Sequence, residues 1–246
     1  MARPDPRDRI VDAAVARLHE RGLTVALDGI SLEEAIADSG VPRATAYRRW
    51  PNRAEFTRAV LIRAVRSARL EPESPDDAQF QSLLDEQHGT LETDAERRTA
   101  LVETLRQATD ADHRRLAASG AWRDYLALRV TCNGLPDDEL RHTLSHELRE
   151  VEREFAGRRA RLYAQVPQRF GYRFVTPLDE EDGFTLIAEI AGSLMTGLVL
   201  DTDATDPPTT FRAAAFGSDI EAEWTTASYA LTATLLAHLE IVAPGG

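Results

Sequence analysis

Arg43, Thr45, Tyr47, Arg48 and Arg49 fall within one short stretch, and Arg53 follows four residues later. Guanidinium groups offer planar forks of donors that match phosphate oxygens and the edge of guanine, while Thr and Tyr hydroxyls add single hydrogen bonds. Such a set grips anionic backbones and base edges and breaks no bonds. On its own, a run of arginines is commonly a solvated surface, so the elements that carry it decide the matter. Ser31 is placed as an N-cap, with Glu34 completing a capping box ahead of Leu32 and Ile36. Gly40 stands where a left-handed residue closes that helix, and Val41 beyond it can touch Ile36. Pro42 suits the opening of the next helix, which Pro51 ends after about two turns, biasing Trp50 away from helical angles. Asn52 and Glu55 form a second cap-like pair that opens a third helix. Two short helices joined by a glycine turn, the second one basic, make a helix-turn-helix arrangement. Arg53 and the free N–H groups of the helices opening near Ser31 and Asn52 are placed for backbone phosphate.

The run Gly40-Val41-Pro42-Arg43-Ala44-Thr45-Ala46-Tyr47-Arg48-Arg49-Trp50-Pro51-Asn52-Arg53 resembles the signature of the TetR family of bacterial transcriptional regulators. The resemblance covers roughly the first 70 residues. Three positions depart from the family pattern: Pro42 replaces a capping Ser, Ala46 a larger aliphatic, and Trp50 a Phe. Ala46 and Trp50 are four apart on one face, so the indole can fill the volume that the small Ala leaves. The resemblance implies an all-α fold: a three-helix DNA-binding head over residues 1–70, its fourth helix bridging, and a helical ligand-binding and dimerisation body over 71–246. By the same resemblance Arg43, Tyr47 and Arg48 face the groove, Thr45 bonds phosphate, and Ser31, Pro42, Arg49 and Arg53 complete the DNA-binding set. It further implies a homodimeric repressor that occupies a palindromic operator and leaves it when a small molecule binds.

Composition fits this reading once the charge is divided. The chain has 246 residues and a net charge of −12, which is wrong for a DNA binder taken whole. Residues 1–70 carry 13 arginines against 9 acidic residues, a net of +4. The other 176 residues carry 16 arginines against 32 acidic ones, a net of −16. A small basic head on an acidic body restricts phosphate to one end. All 29 basic residues are arginine. Cys132 is the only cysteine, which precludes an intrachain disulfide and, with a polar N-terminus, suggests a cytoplasmic protein. The longest apolar run, Phe184 to Leu200, contains Glu189 and is short for a membrane span, so a buried helix is expected.

Along the chain, Asp5-Pro6 starts a first helix with Ile10, Ala14 and Leu18 on one face, stopped at Gly22-Leu23. The connector from Thr24 to Ile30 turns at Asp28-Gly29. Phe56, Val60 and Ala64 mark a helix to about Leu70, and Glu71-Pro72-Glu73-Ser74-Pro75 breaks the chain. Further helices are expected near 76–88, 93–109, 112–131, 137–166, 179–201 and 219–242, with breaks at Gly89, Asp110, Gly134-Leu135-Pro136, Pro167 to Pro177 and the loop 201–218. The last two are the most apolar. Ile187, Ala191, Leu194 and Leu198 form one stripe beside Gly192, Ser193 and Gly197, and Trp224, Ala227, Leu231 and Leu235 form another, continued by Leu239. The resemblance implies that both pair with a second copy as a four-helix bundle; otherwise they are core.

Other constellations carry less. His142 and His146 are four apart with Glu139, Glu147 and Glu150 near, a spacing that can ligate a metal, but a solvated face is expected there and no metal. No nucleophile-elbow glycines surround Ser145 or Ser193, and no glycine-rich phosphate loop occurs, so neither catalysis nor a cofactor is expected. His113 is isolated. Trp122, Tyr125, Phe155 and Tyr163 are the candidates to line a ligand pocket, with plain core as the alternative. Two rival functions remain at this point: a constitutive DNA-binding protein with no ligand, or a helical carrier or enzyme with a vestigial head.

Overall fold

The computed structural model describes residues 5–21, 30–68, 70, 82, 84–85, 91–175, 178–201 and 209–242. The stop at Gly22-Leu23, the connector turn at Asp28-Gly29, the proline-rich break at 71–75, most of the expected helix near 76–88 with Gly89, and Pro177 lie outside them. The first part of the loop after Asp201, with Pro207-Pro208, does too.

Among the described residues the helices are α1 Pro6–Arg21, α2 Leu32–Ser39, α3 Arg43–Arg49, α4 Arg53–Ser67, α5 Asp94–Ala118, α6 Gly120–Asn133, α7 Asp138–Arg169, α8 Glu180–Asp201 and α9 Thr226–Leu236. Four short strands accompany them: β1 Tyr172–Phe174, β2 Thr210–Ala214, β3 Glu221–Thr225 and β4 Leu239–Ile241. The fold is all-α in class, with two small antiparallel ribbons, β1–β4 and β2–β3. The chain forms two compact units, Met1–Leu70 with Gly120–Arg153, and Glu71–Ser119 with Glu154–Gly246.

In the first unit α1 buries Ile10, Val11, Ala14, Val15 and Leu18, and α4 buries Phe56, Val60, Leu61, Ala64 and Val65. Polar side-chain contacts link α6 and the first part of α7 into the same unit. His19 meets Asp124 at 2.8 Å, Arg58 meets Glu139 at 3.0 Å, and Arg66 meets Glu147 at 2.5 Å.

The second unit departs from the sequence reading at three places. Asp110 does not break a helix, because α5 runs through it. Its carboxylate accepts from Thr225 Oγ1 at 2.6 Å, so the side chain is satisfied away from its own backbone and leaves the helical ladder intact. The break falls instead at Ser119-Gly120. Pro167 lies inside the last turn of α7 and is closely followed by the end of the helix.

The expected helix over 219–242 is divided into β3, α9 and β4. Along β3, Ala222 and Trp224 are buried while Glu221 and Glu223 are exposed, the period-two pattern of a half-buried strand. Trp224 therefore sits on a strand, and its indole N–H donates to the Ala213 carbonyl at 3.1 Å. The helix begins only where Thr225 and Ser228 make a reciprocal capping box.

The β2–β3 loop turns at Phe216 and Gly217, with φ of 59° and 83°, while Ser218 N–H donates to the Ala215 carbonyl at 3.0 Å. Two successive positive φ values match a type I′ turn, whose twist suits a hairpin. A phenylalanine tolerates this costly region because its ring packs on Trp224 and Tyr229, centroids 5.3 and 4.7 Å away. Its carbonyl also accepts from Arg98 Nε at 2.7 Å. At the other ribbon, Phe174 lies against Gly183 so closely that a Cβ there would come within 2.3 Å of the ring.

Candidate nucleic-acid interface

Local chemistry sets the helix-turn-helix. Ser31 Oγ accepts from the Glu34 N–H at 3.3 Å and opens α2. Gly40, at φ 62°, closes that helix in the left-handed region, and Arg9 of α1 donates to the Ser39 carbonyl beside it. Arg17 pairs with Asp38 and, at 3.1 Å, with Glu34, so α1 holds α2 at both charged ends. Pro42 caps α3 with no side-chain bond; its carbonyl accepts from Thr45 and Ala46 at 2.9 and 3.1 Å. Trp50 leaves the helix at φ −124°, ψ 81°, as a residue before proline should. Asn52 then accepts from the Glu55 N–H at 2.9 Å and opens α4.

One face of α3 is inward and the other open. Ala46 and Trp50 are buried together, and the indole meets Phe56 edge-on at 5.7 Å under the Arg7 guanidinium at 4.6 Å. Elsewhere on α3 Arg43, Tyr47, Arg48 and Arg49 are exposed and Thr45 is half-buried, and Arg53 is exposed at the start of α4. The predicted donors of α3 and α4 are thus open to solvent, Thr45 in part. Tyr47 is engaged there: its hydroxyl donates to Glu33 Oε1 at 3.1 Å. The Glu33 carboxyl is held below its ordinary range, first by its own backbone N–H at the start of α2 and then by Tyr47. That bond in turn pushes the Tyr47 hydroxyl up. Glu33 is an acidic group beside the arginines that the sequence reading did not single out; its position in the first turn after Ser31 was the available signal.

The acidic residues around His142 and His146 are accounted for by packing. Glu139 and Glu147 are taken up by Arg58 and Arg66 of α4, and Arg66 holds Glu147 below the usual carboxylate range. His142 and His146 are exposed, with His146 3.8 Å from Glu150. Cys132 is buried, and burial pushes its thiol up to about 11, far from a reactive thiolate.

The four candidate pocket aromatics separate into two pairs. Trp122 and Tyr125 are buried in the first unit with ring centroids 5.3 Å apart, and Tyr125 donates to Glu152. Phe155 and Tyr163 belong to the second unit, where both rings flank the Arg159 guanidinium, at 5.0 and 5.9 Å. Tyr163 lines a cavity of about 30 Å³ with Leu105, Asp112, Arg159, Leu231 and Leu235 among others. Arg159 went unnoticed in the sequence, although it interrupts the apolar stripe Phe155, Ala156, Ala160 and Tyr163 at helical spacing, which was the signal.

Of the residues expected between subunits, Ile187, Ala191, Trp224, Ala227, Leu231 and Leu235 are buried within the single chain, and Leu194 and Leu198 are half-buried. The open face of α8 is the neighbouring one. Leu186, Ile190 and Leu200 are 39%, 38% and 61% exposed, Ser193 and Gly197 lie between them, and a Cβ added at Gly192 or Gly197 would touch nothing among the described residues within 4 Å. By length and composition α8 could also cross a membrane, with a mean hydropathy of 1.7 over a window of which 33% is buried.

No family model and no curated protein matches the sequence. Among solved structures, the chain is similar to a protein from Vibrio parahaemolyticus assigned to the TetR family of transcriptional regulators, with 19% identity and a TM-score of 0.40, covering 96% of this chain and 98% of that one. It is also similar to a protein from Mesorhizobium loti MAFF303099 assigned to the same family, with 14% identity and a TM-score of 0.43, covering 94% and 92%.

Proposed function

We propose that the chain is a TetR-type transcriptional regulator whose residues 1–70 bind an operator and whose residues 71–246 bind a small molecule and dimerise. The observation that carries this reading is the exposed donor face of α3, carrying Arg43, Tyr47, Arg48 and Arg49 on a helix-turn-helix fixed by Gly40 and by α1. The protein is a homodimeric repressor. A recognition helix this short reads few base pairs, so two heads about 34–36 Å apart, or a multiple of that, read an inverted repeat. The second copy docks on the open side of α8, through Leu186, Ile190 and Leu200, where Ser193 and Gly197 let helix axes approach. Release follows if the effector binds the DNA-incompetent arrangement more tightly, since equal affinity for both shifts nothing.

The test is selection of the full chain on random duplex DNA at about 0.15 M salt, near physiological ionic strength. An enriched inverted repeat is expected, and its spacing reports the distance between the heads. Failure to enrich any sequence would overturn the regulator reading.

A further inference from the structure

Arg159 is only 1% exposed, yet its charge is incompletely matched. Its Nη2 donates to Asp112 Oδ2, and the other oxygen of Asp112 accepts from Arg115 Nη2 at 2.5 Å. Two guanidinium groups therefore bond to Asp112, and Arg159 Nη1 is buried with no acceptor among the described residues. A buried charged donor without a partner is costly, so such an atom calls for an explanation. Each oxygen of Asp112, the one carboxylate among the described residues lining the cavity, already accepts from an arginine. The nearest acidic groups along α5 are engaged elsewhere: Glu103 by Arg106 at 2.7 Å, and Asp110 by Thr225 at 2.6 Å.

Arg159 lines the cavity described above, whose remaining wall is largely apolar: Leu105, Ala108, Leu162, Val166, Leu231 and Leu235. Its volume of about 30 Å³ exceeds what one ordered water needs and suits a carboxylate head. The flanking Phe155 and Tyr163 rings hold the guanidinium plane in place. A largely apolar wall with a few placed polar groups, here the Arg159–Asp112 pair, is the usual make-up of a small-molecule site.

We propose that this cavity binds a small monocarboxylate with a short apolar substituent, its carboxylate paired with Arg159 and its substituent among the leucines. The proposal rests on the effector-binding reading above and names the ligand class. Binding gives Arg159 Nη1 an acceptor, and the leucine side chains adjust around the substituent.

The experiment titrates the full chain, without DNA, with acetate, butyrate, hexanoate and benzoate at fixed ionic strength, and with the matching amides. Calorimetry and thermal shift are the readouts. At least one carboxylate is expected to bind saturably, with its amide weaker by about tenfold or more, since a charge-assisted fork is lost. Arg159→Lys, which keeps the charge but not the fork, is expected to weaken binding by a similar factor. Leu231→Trp, which fills the cavity and leaves Arg159 in place, is expected to abolish it even if Arg159→Lys folds poorly. No saturable carboxylate binding, equal binding of the amides, or binding indifferent to Leu231→Trp would each overturn the site. Because no DNA is used, carboxylate binding without an operator would sink only the regulator reading, and an operator without carboxylate binding only this one.

Discussion

The arginines of the head are chemically alike, and only their positions assign them different work. Arg48 lies on the open face of α3, whereas Arg53 is the first residue of α4, just after the Asn52 cap. Arg48→Ala is expected to cost about 1–3 kcal/mol on the selected operator and to relax preference at one base pair. Arg53→Ala should weaken all duplexes alike and lower the slope of log affinity against log salt by about one unit. Binding isotherms on operator and scrambled DNA over a salt series check both, and identical behaviour of the two variants would refute the groove assignment. His113 belongs to a different part of the molecule but yields to the same kind of reasoning. Burial lowers its pKa, against the pull of Asp110 and with the help of Arg114. The unfolded chain therefore takes up the proton first on acidification. Stability is expected to fall as pH drops through about 6.5, the ordinary histidine value, until the folded form also titrates. Melting temperatures of the protein and of His113→Gln between about pH 7.5 and 5.5 should show a smaller loss in the variant.

Elements set by local chemistry were legible in the sequence; those set by distant partners were not. Ser31, Gly40, Pro51 and Asn52 act through their own backbone neighbours, and α2, α3 and the start of α4 lie where those residues place them. Asp110 has the look of a breaker until Thr225 reaches it from far along the chain, and no local pattern shows that bond. The strand at Trp224 did have a local signal, the alternation of Glu221 to Trp224, but it was masked by leucines that continue at helical spacing beyond it. The stripe on α8 was found, though helical spacing alone does not say which of two adjacent apolar faces meets the chain's own core. Here Ile187 and Ala191 do, leaving Leu186 and Ile190 outward. Ile190→Glu should therefore leave the fold intact and raise the dimer dissociation constant at least about tenfold, as sedimentation equilibrium would show; an unchanged dimer would place the interface elsewhere. Gly183 is the element-scale counterpart in the core. Its missing side chain makes room for Phe174, whose ring is stacked on His238 at 5.4 Å and meets Phe184 at 5.1 Å. With the ring held on both sides, Gly183→Ala should destabilise by about 1–3 kcal/mol, measured by denaturant unfolding.

For the molecule as a whole, charge is divided along the chain. Residues 1–70 are net positive and the rest strongly negative, so on the regulator reading proposed above a duplex favours the first stretch. The compact units are divided differently, since each is assembled from two separated stretches of sequence: Met1–Leu70 is joined by Gly120–Arg153, and Glu71–Ser119 by Glu154–Gly246. A growing chain meets this arrangement in order of synthesis, at about 5–20 residues per second. Helices α1 to α4 emerge early, but Arg58 and Arg66 wait for Glu139 and Glu147 to leave the ribosome before their ion pairs close. The nascent head thus spends seconds as an incomplete body with the α4 side unpaired. In the cell, the time available to chaperones is set by the distance in sequence between a helix and the partner that completes it.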